Sequence, residues 1–361
     1  MSGRVVLVTG VSRYLGGKVA TALAAHPSAP SVLGTDVVPP HGSLGGARFV
    51  RADIRSPAIA RLLREEGVDT VVHMNVIATP RSAGGRVPMK EINVIGTMQL
   101  LAAMQKVPGV RRLVVKSSSG VYGAGPGDPA IFTEDTAAST PPRTGWAKDC
   151  LEVEGYVRGF SRRRPDAAVT TLRFASIVGP GLETPLSRAF ALPVVPGLLG
   201  HDGRLQFVDE EDAVDAMVVA TLGPPDRPAG TVGGDGDGHD GLVTGPVNVA
   251  GDGVLTTSQA AAMAGRPVLG LPERLGPSAS RWLTRLGAAE LSYEDLRLLG
   301  YGRVLDTTRC REEMGFVPRR SSREAFEAFV VAHRLRGLRP VVDLVADEVG
   351  KAVVDTVGAR R

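Results

Sequence analysis

Cysteine is scarce: only Cys150 and Cys310 occur in 361 residues, far apart and in no C-x-x-C spacing. That argues against a disulfide framework or a thiolate metal site and favours a reducing compartment, the cytosol. Nowhere do the about 18 consecutive apolar residues of a membrane helix occur. The opening MSGRVVLVTG enters a strand-like run without the apolar stretch and cleavage site of an export signal. A cytoplasmic protein with no membrane span is therefore expected. No basic run is longer than Arg162 to Arg164, and 42 basic against 38 acidic residues leave a net charge of only +4. Nucleic acid is not an expected partner, although a phosphate-bearing small molecule would suit this balance. Residues 230–241, GTVGGDGDGHDG, alternate aspartate with glycine, but the spacing is not that of an EF-hand loop and no glutamate closes it. The segment reads as a mobile loop, and no metal is expected.

What is present fits a soluble globular chain, with 43% hydrophobic and 22% charged residues. The length allows two domains, or one large α/β domain carrying a smaller part. Short apolar runs recur at 4–8, 31–36, 47–53, 70–74, 112–117 and 169–174, with helical periodicity between most of them. Alternating β and α units of this length predict an α/β fold built on a doubly wound parallel sheet. After Gly179-Pro180 the rhythm breaks into turns, a strand RLQFV at 204–208 and a helix at 210–222. The expected division is a nucleotide-binding unit over 1–178, a mostly substrate-binding part over 179–340 and a helical tail over 341–361. A further helix is expected from Ser322 to Leu335.

The strongest constellation is VTGVSRYLGG at 8–17, directly after the first strand, with Asp36 ending the second strand. Glycines let the backbone turn sharply and approach a pyrophosphate, the helix N-terminus offers N–H donors to it, and a carboxylate twenty residues on accepts from the adenosine ribose hydroxyls. Asp36 also favours NAD over NADP, because it would repel a 2′-phosphate. Gly10, Ser12, Arg13, Tyr14, Leu15, Gly16 and Asp36 are thus the candidate cofactor residues.

With these residues in hand, the chain resembles the extended short-chain dehydrogenase/reductase family, the NAD-dependent epimerases and dehydratases, and within it a bacterial subgroup similar to UDP-glucose 4-epimerase. The family's T-G-x-x-G-x-x-G stands here as Thr9 to Gly16 with Arg13 in place of the middle glycine; the guanidinium either swings out to solvent or lies along the pyrophosphate. Further likenesses are Asp53-Ile54, VVHMNV (71–76, with Asn75), NVIGTMQLL (93–101, with Asn93), SSSGVYG (117–123), LRFASIVGPG (172–181), RLQFVDEEDA (204–213) and LDTTRCREEMGF (305–316). The resemblance implies a Rossmann-type fold, adenine contacts at Asp53 and Ile54, and a sugar nucleotide or related hydroxylated substrate. It also implies a homodimer formed by two long helices near 88–106 and 145–162.

The family's catalytic Y-x-x-x-K is incomplete. Lys148 matches the lysine, which also reaches the nicotinamide ribose, and Ser118 matches the serine, but Thr144 occupies the tyrosine position. An aliphatic hydroxyl is a far weaker acid than a phenol of pKa about 10, and it is shorter. Either another group is the base, with Tyr122 the first candidate and Asp149 a poorer one, or the protein binds NAD without turnover, as a scaffold or redox sensor. Tyr122 has the alternative reading of a packed tyrosine. On the substrate side Ser176 replaces the family's asparagine, Asp209 replaces its usual His or Tyr, and Arg204 and Arg303 are candidates for a nucleotide diphosphate or for solvated loop positions.

Overall fold

The computed structural model describes residues 4–28, 30–79, 83–224, 242–278 and 291–335. The Gly/Asp-rich segment 230–241 and the tail 341–361 lie outside the described residues. Six strands follow the apolar runs closely: β1 (Val5–Thr9), β2 (Ser31–Asp36), β3 (Arg48–Arg51), β4 (Thr70–His73), β5 (Arg112–Ser118) and β6 (Ala168–Phe174). After β7 (Ser176–Val178), β8 (Val195–Leu198), β9 (Arg204–Leu205) and β10 (Phe207–Asp209), a seventh member, β11 (Gly245–Val249), returns to pair with β6. The sheet is parallel throughout, in the order β11-β6-β5-β4-β1-β2-β3. Its Val- and Leu-rich strands are buried on both faces, as a sheet covered by helices on each side requires.

Side chains alternate between the two faces. Val6, Val8, Val72, Val114 and Leu172 pack under α1 (Tyr14–Ala24), while Leu7, Val71, Leu113, Val115 and Val169 face the opposite layer. That layer is made by α2 (Ala58–Glu65), α4 (Thr97–Gln105) and α5 (Gly145–Arg163), α4 being joined to the short α3 (Arg86–Lys90) by a π-helical turn over Glu91–Gly96. After α6 (Pro185–Ala191), the α7 helix (Glu210–Leu222) joins α1 on the first face, although it lies far along the chain.

The smaller part holds α8 (Thr257–Met263), α9 (Tyr293–Tyr301) and, beyond α10 (Thr308–Glu312), whose Cys310 packs on the first face of the central sheet, α11 (Ser322–Ala332), with β12 (Leu255–Thr256), β13 (Val268–Leu271) and β14 (Gly302–Arg303). Phe190, Phe207, Phe326 and Phe329 form its core, their rings 4.7 to 6.4 Å apart in tilted and edge contacts. The run read as one strand at 204–208 divides at Gln206, whose amide oxygen accepts from the Leu305 N–H at 2.7 Å. One half pairs with β12 and β14 and the other with β7.

Candidate functional site

The site begins where β1 ends. Gly10 turns with φ +76°, a left-handed conformation open to glycine at little cost. A Cβ on Gly16 would stand 2.1 Å from the Gly10 carbonyl oxygen, so the first turn of α1 rests directly on the loop. The unpaired N–H groups of that turn consequently face the loop's concavity. Arg13 is the residue before the helix, in extended conformation (φ −91°, ψ 149°).

Beside the turn lies a small pocket walled by Asp36, Asp53, Ile54, Asn75 and Arg13 among others. The Asp36 carboxylate is buried, and both its oxygens accept backbone donors: Oδ1 from Val37 N at 2.8 Å and Oδ2 from Ser12 N at 3.2 Å. The Ser12 hydroxyl donates to the Val38 carbonyl. Asp53 is gripped by the Arg55 guanidinium at 2.8 to 3.1 Å, which holds its carboxyl below the usual carboxylate range. At the end of β4, His73 is buried between the hydroxyls of Thr9 and Thr97, each 2.8 Å away. Burial, reinforced by the nearby Lys116 ammonium, pushes its pKa down to about 3, so the ring is neutral.

From the same turn a cavity of about 1580 Å³ runs over the ends of β4, β5 and β6 to α9. Arg13 borders both spaces. Ser118, Thr144, Ser176 and Arg303 all line the large cavity. Ser118 accepts from Gly120 N at 3.0 Å. Thr144 caps α5 in position only, its hydroxyl making no cap bond. Tyr14 also lines the cavity and donates to Glu210 at 2.6 Å. Arg303 donates from Nε to the Gly123 carbonyl at 2.9 Å and from Nη1 to Ser119 Oγ at 3.2 Å, and burial pushes its pKa down to about 10.

Other expected residues are placed elsewhere. Lys148 is not among the residues walling the cavity; its side chain is 42% exposed and its ammonium lies 3.8 Å from Glu152. Asp149, the poorer candidate base, is the inward residue: it is fully buried and clasped by both Arg86 Nη atoms at 2.5 and 2.6 Å. Adjacent helical positions are about 100° apart, and Arg86 selects which of the two faces inward. Tyr122 is packed. It is buried outside the cavity wall, its hydroxyl donates to Asn248 Oδ1 and accepts from Arg173 Nη1, both at 2.8 Å, and burial raises its pKa. Arg204 likewise does not wall the cavity; it donates to the Ala130 carbonyl at 3.1 Å. Asp209 caps α7 and pairs with Arg320 at 2.5 Å. Asn93 spends its amide on the backbone of Ile77, accepting at 2.7 Å and donating at 2.9 Å, and on Asp149.

Two cavity residues escaped the sequence reading. Arg86 ties α3 to the start of α5, donating also to the Gly145 carbonyl at 2.9 Å. Lys116 interrupts the apolar β5 run and enters the cavity wall, with Nζ 2.8 Å from the Val76 carbonyl. Burial, with Arg13 acting in the same direction and Cys150 against it, pushes its pKa down to about 8. The available signal was a lysine two residues before Ser118, which a strand places on the same face. Among the described residues no cluster of His, Cys, Asp and Glu suits a metal ion, and no helix is long and apolar enough to cross a membrane.

Comparison with known proteins fits this geometry. The model of the NAD dependent epimerase/dehydratase family matches residues 6–230. An uncharacterized protein of Mycobacterium tuberculosis is 44% identical over 345 residues, covering 94% of this chain and 86% of its own length. Sterol demethylase protein B of Methylococcus capsulatus is 30% identical over 350 residues, 92% of this chain and 99% of that protein. The solved structure of MoeE5 in complex with UDP-glucuronic acid and NAD superposes with a TM-score of 0.64 at 22% identity, over 92% of this chain and 99% of the other; this is a likeness of fold.

Proposed function

This chain belongs to the NAD-dependent epimerase/dehydratase family, with NAD as its cofactor, and from that premise we propose that it oxidises a hydroxyl group of a substrate held in the large cavity, as an oxidoreductase or as the first step of an epimerase or dehydratase. In this reading the pyrophosphate lies over Gly10 to Gly16, two glycines that let the turn pack tightly against Asn75 and the first turn of α1, and adenine sits between Asp53, Ile54 and Asn75. The observation that carries it is the Asp36 carboxylate. Two backbone N–H groups hold it in place beside the turn, with lone pairs left to accept the two ribose hydroxyls. Ser118 orients the substrate hydroxyl, and Ser176 and Arg303 stand on the substrate side of the same cavity. A sugar nucleotide is the expected substrate, supported by the UDP-sugar complexes of the structural neighbours. The reading also takes residues 1–178 as mainly the cofactor unit and 179–340 as mainly the substrate part, in a cytoplasmic homodimer joined through α4 and α5.

Calorimetry with NAD tests the cofactor half, and absence of affinity at millimolar NAD would sink it. Turnover is then sought with UDP-glucose, UDP-galactose and, because one relative is named for sterols, cholesterol. A second reading, an NAD-binding scaffold or redox sensor without turnover, is favoured by Thr144 standing at the tyrosine position and by Lys148 lying outside the cavity wall. Tight NAD binding with no turnover of any of the three probes would select it. Gain of activity in Thr144→Tyr would locate the defect at that single position.

A further inference from the structure

We propose that Lys116 is the catalytic amine of the large cavity, contacting the bound dinucleotide and taking the proton from the substrate hydroxyl that Ser118 orients. The proposal rests on the NAD-dependent reading above and assigns it the acid/base that Thr144 cannot supply.

The geometry places Lys116 in that role, on the strand that also carries Ser118. Both Lys116 and Ser118 belong to β5, in register with Leu172 and Phe174 of β6. Residues two apart on a strand lie about 7 Å from one another on one face. Both line the cavity, whereas the ammonium of Lys148 is turned to Glu152. Lys116 Nζ donates to one backbone carbonyl, that of Val76, itself part of the wall beyond β4. Among the described residues no carboxylate forms an ion pair with it. The carboxylates nearby are committed: Asp149 to Arg86 and Glu154 to Arg173.

The titratable groups facing Lys116 are Arg13 from the glycine turn, His73 from β4 and Cys150 from α5. His73 is neutral, and burial raises the Cys150 thiol well above its ordinary value, so neither brings a charge at neutral pH. Burial first, and Arg13 as a charged neighbour second, make the amine hold its proton weakly, which is the condition of a base working near pH 8. In the step itself the substrate O–H bond breaks and its proton passes to the Nζ lone pair. NAD held at this site would supply the oxidant, accepting the carbinol hydrogen as hydride so that a carbonyl compound results.

The test uses the full chain labelled with 13Cε-lysine, the Lys116 signal being assigned by its loss in Lys116→Arg. Its titration midpoint is expected near 8, and saturating NAD is expected to move the signal. Calorimetry follows, with Lys116→Met weakening NAD about tenfold and Lys116→Arg, which keeps the charge, staying within about threefold. On whichever of the three probes the wild type oxidises, Lys116→Arg is expected to lose at least about 100-fold in kcat, because a guanidinium does not deprotonate. A midpoint in the ordinary lysine range, a signal unmoved by bound NAD, or a Lys116→Arg variant with unchanged kcat would each overturn the assignment while leaving NAD binding, and so the family reading, standing. No NAD binding by the wild type would remove both. Should Lys116→Met fail to fold, the wild-type titration and NAD shift decide alone.

Discussion

Replacing Asp36 with asparagine removes one charge and almost no volume, at the point where the structure is most explicit about cofactor choice. In the native fold the buried carboxylate is anchored by the N–H groups of Ser12 and Val37. Two hydroxyls of an adenosine ribose would add charge-assisted bonds, and losing the charged character of one such bond costs roughly 1.5–3 kcal/mol. At 1.4 kcal/mol per factor of ten, this predicts an NAD dissociation constant raised roughly 10- to 150-fold. The variant also loses fold stability, because the new amide group must face one of the two backbone donors; about 1–3 kcal/mol is expected from that conflict. Calorimetry against NAD and NADP, with circular dichroism melting as the control, separates the two effects. Discrimination against NADP should narrow in Asp36→Asn, since the repulsion of a 2′-phosphate is gone. An NAD affinity within threefold of wild type in a folded variant would refute the placement of the ribose at Asp36.

A Cβ at Gly16 would stand 2.1 Å from the Gly10 carbonyl oxygen, whereas one at Gly17 meets Val11 O at 3.1 Å. Gly16→Ala should therefore cost about 1–3 kcal/mol and lower NAD affinity, with Gly17→Ala much milder, both read by melting and calorimetry. Tyr122→Phe should destabilise by about 1–3 kcal/mol, because Asn248 and Arg173 lose their shared hydroxyl, while turnover per folded molecule is unchanged; a selective loss of kcat would restore Tyr122 to the chemistry. His73 is neutral in the fold down to about pH 3, but in the unfolded chain it takes a proton near pH 6.5. Its contribution is thus complete above about pH 6.5 and is lost as pH falls toward 3, amounting to about 2 kcal/mol between pH 7 and 5. Urea midpoints across that range should fall less steeply in His73→Gln than in wild type.

The parallel sheet, the glycine turn and Asp36 were legible because each depends on local pattern: apolar runs of strand length, glycines at a βα junction, an acid at a strand end. The helix at 210–222 was legible for the same reason, with Asp209 capping it. What the sequence could not disclose was rotation and partner. Lys148 and Asp149 differ by one helical step, and Arg86 and Asn93, more than fifty positions earlier, hold the carboxylate inward. RLQFV has the period of one strand, yet Gln206 is captured by Leu305 and splits it. Lys116 was overlooked because a lysine in an apolar run resembles an edge residue until Val76, on a neighbouring segment, is seen to receive it. Tyr122 was equivocal for want of Asn248, 126 residues away.

The pairing of β11 with β6 sets an order on how the chain can be made. On a ribosome the first six strands emerge well before residue 245, so the border of β6, with Thr170 to Phe174 awaiting their partners, stays open while about seventy further residues are translated. A nascent or truncated chain ending near residue 180 would carry that unpaired border into the cell, where it invites edge-to-edge association. Expression trials of the isolated N-terminal unit should accordingly yield aggregates, and grafting the Gly245–Val249 segment onto its end should rescue solubility.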